Sequence, residues 1–99
     1  MDSVPAPIDQ IGRIADAVGD RIEIILDGGV RRGTHVIKAL AMGARACSIG
    51  RGYLFSLAAG GEAGVDRALS LLRAEVERGM TLLGCKKIDQ IDGNVIRAR

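Results

Sequence analysis

The chain has 99 residues, a net charge of +2 and 47% hydrophobic residues, with one Tyr and one Phe as its only aromatic side chains. This composition predicts one small folded domain with an aliphatic core and excludes a disordered chain. The basic residues are spread along the sequence, so we expect no nucleic-acid partner. No apolar run approaches the roughly 20 residues that span a bilayer, so we expect no membrane span. No secretory signal is visible.

A first helix and a first strand are predicted before residue 27. Pro7 suits the first turn of a helix, apolar residues recur at helical spacing from Ile8 to Val18, and Gly19 ends the run. The segment Arg21–Leu26 then carries the dense apolar content that is typical of a buried parallel strand.

The next unit repeats this order. Gly33 and Thr34 open a second helix with an apolar face, and Gly43 is a suitable left-handed cap for its end. A second strand is predicted over Ala46–Ile49. Because helices and strands alternate at this spacing, we expect a parallel sheet.

The remainder is predicted as a loop, a long helix and a polar tail. Glycines predict a glycine-rich loop over Gly50–Gly61, and a third helix follows from about Gly64 to Leu83, where Gly84 stops it. The tail runs from Lys86 to Arg99.

We expect Ile88 and Ile91 to dock back on the domain, and the cationic run from Arg97 to Arg99 to be a loose end. Cys47 and Cys85 are far apart and have no metal-ligand partners nearby, so we expect two reduced core thiols rather than a disulfide, and no metal site.

The strongest signal for a binding site is a glycine turn between the first strand and the second helix, in the run Leu26-Asp27-Gly28-Gly29-Val30-Arg31-Arg32-Gly33-Thr34. Glycine lets the backbone approach an anion closely, and the N–H groups and dipole at a helix start favour negative charge. Arginine adds a planar fork of donors. This combination predicts a phosphate receptor.

A second piece of the same receptor follows the second strand, in the run Ile49-Gly50-Arg51. The predicted phosphate-binding set is therefore Asp27, Gly28, Gly29, Arg31, Gly50 and Arg51.

Each of these residues also has a plain structural alternative. Asp27 could only fix the turn by bonding backbone amides, and Arg31 and Arg51 could be solvated surface cations. Arg32 is expected to face solvent. His35, the single histidine, is expected to be an exposed helix residue with no part in catalysis.

From Pro5 to Ile91 the chain closely resembles the C-terminal end of the FMN-dependent α-hydroxy acid dehydrogenases and oxidases, of the L-lactate dehydrogenase and glycolate oxidase type. The motifs that carry the resemblance are the glycine turn above, Lys38-Ala-Leu-Ala-Met-Gly-Ala44, Ile49-Gly-Arg51, Leu57-Ala-Ala-Gly-Gly-Glu-Ala-Gly-Val65 and Leu82-Leu-Gly-Cys85.

The resemblance implies an α/β fold, namely the last two β/α units of a (β/α)8 TIM barrel. Arg21–Leu26 would be barrel strand seven and Ala46–Ile49 strand eight, and residues 1–99 would form a single partial domain. The loops after both strands would hold the phosphate of FMN.

The resemblance also implies that the catalytic residues lie outside this sequence. The family uses a histidine base and a neighbouring arginine from a motif that would precede Met1, and His35 stands where relatives often carry an acid. We therefore expect no catalytic residue here.

Two functions remain open on the sequence alone. The first is the FMN-phosphate-binding portion of an enzyme that oxidises a small 2-hydroxy acid, of the L-lactate type, to a 2-keto acid. The second is a non-catalytic phosphate-binding or assembly module that complements a separate chain. A further interpretation is an inert remnant with no function. We expect self-association or a missing N-terminal barrel portion, and a cytoplasmic protein, with peripheral attachment of the complete enzyme to the inner membrane left open.

Overall fold

A computed structural model describes residues 3–95 of the chain, so the predicted loose end at Arg97–Arg99 lies outside the described residues. Three helices and two strands alternate, and their bounds are α1 Pro7–Val18, β1 Ile25–Asp27, α2 Gly33–Ala41, β2 Ala46–Ser48 and α3 Arg51–Leu83. Two short 3-10 turns follow, Ile88–Gln90 and Gly93–Val95. None of the described helices is long and apolar enough to cross a bilayer.

The two strands pair in parallel, as the alternation of helices and strands predicts. Ile25 lies opposite Ala46, and Asp27 lies opposite Ser48. Because the strands run the same way, both chain segments that leave the sheet start from the same edge. The register therefore places the glycine turn after Asp27 beside the Gly50 segment that follows β2.

Both predicted strands are too long at one end. Residues 21 and 22 are in a turn instead of β1, because the N–H groups of Arg21 and Ile22 donate to the carbonyl of Val18 at 2.9 and 3.0 Å. The pairing ends at Ser48 rather than at Ile49. The pairing between the two strands covers only three residues of each.

The predicted glycine-rich loop over Gly50–Gly61 is wrong, because helix α3 already begins at Arg51. Only Gly61 leaves helical geometry, at φ 61° and ψ −147°, and it divides α3 into a short first segment and a long second one. The Leu and Ala residues between Tyr53 and Ala59 are good helix formers, and they outweigh the isolated glycines. The left-handed Gly84 ends α3, as predicted.

Two small cores hold the elements together. The first lies between α1, β1 and α2, and its buried residues are Ile11, Leu26, Val30, Ala39 and Ala44. The second joins α2 to α3 and the tail, and its buried residues are Ile37, Ala41 and Ile91. Ile91 docks as predicted. Ile88 does not, since it is 57% exposed in the turn before it.

Helices α2 and α3 are in close contact at Gly33, the first residue of α2. A Cβ atom on this buried glycine would lie 2.5 Å from the Cβ of Glu75 and 2.6 Å from the backbone nitrogen of Val76. The backbone N–H of Gly33 also donates to Glu75 Oε1 at 2.9 Å. Gly33 is therefore required by contact with α3, in addition to any role in opening α2.

We expect the Gly33→Ala variant to unfold more easily, by about 2 kcal/mol, because the new methyl group must push α3 away from α2. Urea denaturation followed by circular dichroism measures this difference. Gly60→Ala is the matched control, since a Cβ at Gly60 meets open space in a helix and should leave stability unchanged or slightly higher. Equal stability of Gly33→Ala and the natural chain would contradict the packing argument.

Candidate functional site

An open cleft of about 680 Å³ lies at the carboxyl end of the two strands. It is bounded by the start of α1, the glycine turn after β1, one side of α2 and the start of α3. Its charged and polar side chains are Asp27, Arg31, His35, Lys38, Ser48 and Arg51. All six predicted phosphate-binding residues line this cleft together.

The glycine turn has a backbone geometry that favours glycine. Gly28 and Gly29 have φ values of 119° and 75°, in the region that residues with a Cβ rarely adopt. A Cβ on Gly28 would also approach Cγ of Pro7 to 3.0 Å. The turn is thus packed against the first residue of α1 on one side and open to the cleft on the other.

Backbone N–H groups are available at two places on the cleft wall. In the described part of the chain, no hydrogen bond uses the N–H of Gly29 or Val30. Helix α3 starts at Arg51, and the first N–H groups of a helix have no partner within it. Two sets of N–H donors, one from each strand end, therefore adjoin the same space.

The charges around the cleft are mainly positive. Arg31, Lys38 and Arg51 contribute three cations and Asp27 one carboxylate, which leaves a net charge of +2 when His35 is neutral. A phosphate monoester carries about −1.5 to −2 at neutral pH, so the cleft matches it in charge. Among the described residues the Asp27 carboxylate makes no hydrogen bond, which gives no support to the alternative that it fixes the turn.

His35 differs from its expected role as an exposed helix residue. It is half-buried, and its Nδ1 accepts hydrogen bonds from the backbone N–H groups of Arg31 at 3.0 Å and Arg32 at 3.1 Å. The ring thus closes the first turn of α2 and holds the end of the glycine turn. Helix propensity and apolar periodicity predict only a polar helix residue at His35, because neither depends on a hydrogen bond from the preceding loop.

Arg32 is exposed, as expected, but it is held by an ion pair. Its Nε lies 2.9 Å from Glu75 Oε1, the same atom that accepts the Gly33 N–H. The hydrogen bond from Arg32 and then that from Gly33 lower the pKa of Glu75, while burial acts in the opposite direction. Glu75 therefore anchors α3 to the start of α2.

Three cleft residues with polar side chains are not among the predicted phosphate-binding residues: His35, Lys38 and Ser48. Lys38 follows His35 by three positions, so helical spacing alone places the two on one face of α2. Ser48 could have been found by its place at the end of β2, opposite Asp27. Both cysteines are free and half-buried, and burial raises the pKa of Cys47.

Residues 1–98 match the sequence profile of the FMN-dependent dehydrogenase family. L-lactate oxidase from Nostoc sp. is 48% identical over 92 residues, which are 93% of this chain and 25% of that protein. Pre-mycofactocin synthase from Mycolicibacterium smegmatis is 47% identical over 91 residues, which are 92% of this chain and 23% of that protein. The chain spans about a quarter of the length of these relatives.

Solved structures of TIM-barrel flavoproteins match the fold. A mutant of (S)-mandelate dehydrogenase superposes with a TM-score of 0.94 at 34% identity, covering 100% of this chain and 28% of that one. The helices and the parallel strand pair thus correspond to part of such a barrel.

The Arg32–Glu75 pair predicts a dependence of stability on pH. Because the folded state lowers the pKa of Glu75, the ionised carboxylate stabilises the fold above the ordinary carboxyl range, and this contribution is lost as the pH falls through the lowered pKa. We expect Glu75→Gln to be less stable than the natural chain at pH 7, and the difference to shrink between about pH 5 and pH 3.

Urea denaturation at a series of pH values measures this difference. Glu77→Gln is the matched control, because Glu77 pairs with Arg73 at an exposed i, i+4 position of the same helix, where an ion pair contributes little. A stability difference for Glu75→Gln that does not change with pH would contradict the assigned role.

Proposed function

The chain belongs to the FMN-dependent dehydrogenase family, and we propose that it supplies the part of a flavin-binding barrel that holds the FMN phosphate. The observation that carries the proposal is the cleft itself. The segments after the two strands bring Arg31, Arg51 and backbone N–H groups to one space, and α2 adds Lys38, so that the cleft carries a net charge of +2. Few ligands other than a phosphate dianion would use all of these groups together.

The charge of each cleft residue indicates which part of FMN it would contact. Arg31, Lys38 and Arg51, with the N–H groups of Gly29 and of the α3 start, would hold the phosphate. The Asp27 carboxylate would repel a phosphate oxygen, so we assign it to the hydroxyl groups of the ribityl chain, from which it can accept hydrogen bonds. FMN, when bound, supplies the group that accepts two electrons from the substrate.

Within the complete barrel, β1 would be the seventh strand and β2 the eighth. This assignment rests on the loops, since phosphate sites of TIM barrels are frequently built after strands seven and eight together with the start of a short extra helix. The first segment of α3, before the break at Gly61, would be that extra helix. The proposed activity of the whole enzyme is oxidation of a 2-hydroxy acid of the L-lactate type to a 2-keto acid, in the cytoplasm, with the proton-abstracting base outside this chain.

A second candidate function is an assembly module that completes a barrel with another chain. It is favoured by apolar residues that the described fold leaves in solvent near the sheet, since Ile22 is 58% exposed and Ile25 is 63% exposed. In the described two-stranded sheet each strand also has an outer edge without a partner strand. Unpaired edges and apolar faces invite pairing with a further chain or with a second copy.

We expect sulfate or inorganic phosphate to raise the melting temperature of the chain, by roughly 5 °C at ten times its Kd, because the anion binds only the folded state. FMN should add little, because the chain provides the phosphate part of the site and little to enclose the isoalloxazine ring. Differential scanning fluorimetry over a range of anion concentrations measures the shift.

The decisive variant for this experiment is the double replacement Arg31→Met with Arg51→Met, which should abolish the anion effect. Arg13→Met with Arg45→Met removes the same net charge from exposed positions that do not line the cleft, and it should keep the effect. If the anion still raises the melting temperature of the Arg31→Met, Arg51→Met variant, the binding site lies elsewhere. If the effect is lost in both double variants, the anion binds non-specifically.

We expect the isolated chain to associate with itself at low micromolar concentration, because the sheet leaves apolar side chains and strand edges uncovered. Sedimentation equilibrium measures the molar mass. Ile22→Lys with Ile25→Lys should shift the population to monomer, whereas Leu82→Lys, at an 82% exposed position on α3, should not. A monomer at all concentrations would show that three helices suffice to close this unit.

A further inference from the structure

The segment that joins the glycine turn to α2 is held by a side chain that the phosphate site itself does not explain. Nδ1 of His35 lies 3.0 Å from the backbone nitrogen of Arg31 and 3.1 Å from that of Arg32. Both N–H groups donate to the same nitrogen. The ring must therefore be neutral, with its proton on Nε2, because a protonated Nδ1 has no lone pair to accept with.

This bond fixes the direction of the backbone at Arg31. The residue lies between a glycine turn of positive φ and the first turn of α2, and its exposed side chain makes no hydrogen bond in the described part of the chain. The neighbours of Arg31 are held by other means, since Val30 is buried in the first core and Arg32 pairs with Glu75. The described residues offer Arg31 itself no hydrogen-bond acceptor other than His35. The Glu75 carboxylate performs the corresponding task two residues later, where it accepts a hydrogen bond from the N–H of Gly33.

We infer that His35 is a positioning residue, whose neutral imidazole holds the Arg31–Arg32 backbone in the geometry that binds an anion in the cleft, so that protonation of the ring releases the segment and weakens binding. This inference rests on the proposed phosphate site and adds its regulation by pH. Protonation of Nδ1 removes the lone pair that accepts both N–H groups, so the two hydrogen bonds are lost together.

The charged groups near His35 come from each element around it, and they are Asp27 of β1, Arg31 and Arg32 of the connecting segment, Lys38 of α2, and Arg51 and Glu75 of α3. An imidazolium among these groups would add positive charge to an open, solvated cleft, where salt screens its attraction for an anion. The loss of both acceptor bonds is local and unscreened. The inference therefore predicts weaker anion binding at acidic pH, whereas a purely electrostatic role of His35 predicts tighter binding.

Sulfate is the probe that separates these outcomes, because phosphate groups change their own charge in the same pH range. We would measure its Kd by calorimetry for the natural chain, His35→Ala and His35→Asn. The Asn Oδ1 atom is the same number of bonds from the backbone as Nδ1 and accepts a hydrogen bond, but it does not titrate.

At pH 8 we expect His35→Ala to weaken sulfate binding roughly five- to tenfold and His35→Asn to bind within about twofold of the natural chain. Between pH 7.5 and pH 5.5 the Kd of the natural chain should rise, and that of His35→Asn should stay level. Equal affinity of His35→Ala and the natural chain at pH 8, or tighter binding of the natural chain at acidic pH, would overturn the inference.

A second measurement does not depend on anion binding or on the folding of His35→Ala. Amide resonances of Arg31 and Arg32 in the free natural chain should shift together as His35 titrates, and those of His35→Asn should not. If these amides titrate while sulfate fails to bind, the proposed phosphate site is wrong and the tie made by His35 is confirmed. If sulfate binds but the amides do not titrate, the phosphate site survives and the inference about His35 fails.

Discussion

The structure depends on how three successive backbone N–H groups are satisfied at the start of α2. The chain leaves β1 through two glycines of positive φ and enters a helix within a few residues, so the N–H groups of Arg31, Arg32 and Gly33 have no helical carbonyl to reach. His35 accepts the first two, and Glu75 accepts the third. One acceptor is local and the other comes from α3, so a single short segment links the binding loop to the packing of the helices.

This arrangement leaves other donors free for a ligand. The N–H groups of Arg31 and Arg32 are already bonded to His35, whereas no hydrogen bond among the described residues uses the N–H group of Gly29 or Val30. The parallel pairing of β1 with β2 then brings the start of α3 to the same edge. The segments that follow both strands therefore line the same cleft.

The cores are small, and this explains why the unit exposes so much apolar surface. Only Ile11, Leu26 and Ala39 with a few neighbours are buried around β1, and no residue of α3 is fully buried. In matching proteins the corresponding region is about a quarter of a larger chain.

The sequence by itself determined much of the local structure and which residues after the two strands come together. The bounds of α1, the end of α3 at Gly84 and the parallel pairing all follow from apolar spacing and glycine placement, which are properties of neighbouring residues. The six predicted phosphate-binding residues do lie on one cleft, because strand ends of a parallel pair share an edge. The predicted loop over Gly50–Gly61 is wrong, because the helix-forming residues between the glycines outweigh the glycine content.

Only the tertiary structure decided what each of the remaining residues does. Gly33 must lack a side chain because Glu75 of α3 packs against it, and Glu75 is 42 residues further along the chain. The same Glu75 accepts the hydrogen bond from the N–H of Gly33. The sequence predicts an ordinary helix residue at His35, whereas in the folded chain the backbone turn brings two N–H groups to its Nδ1. Lys38 joins the cleft only because α2 packs with that face toward the strand ends. These roles arise from distances between segments, which residue type and spacing along the chain do not contain.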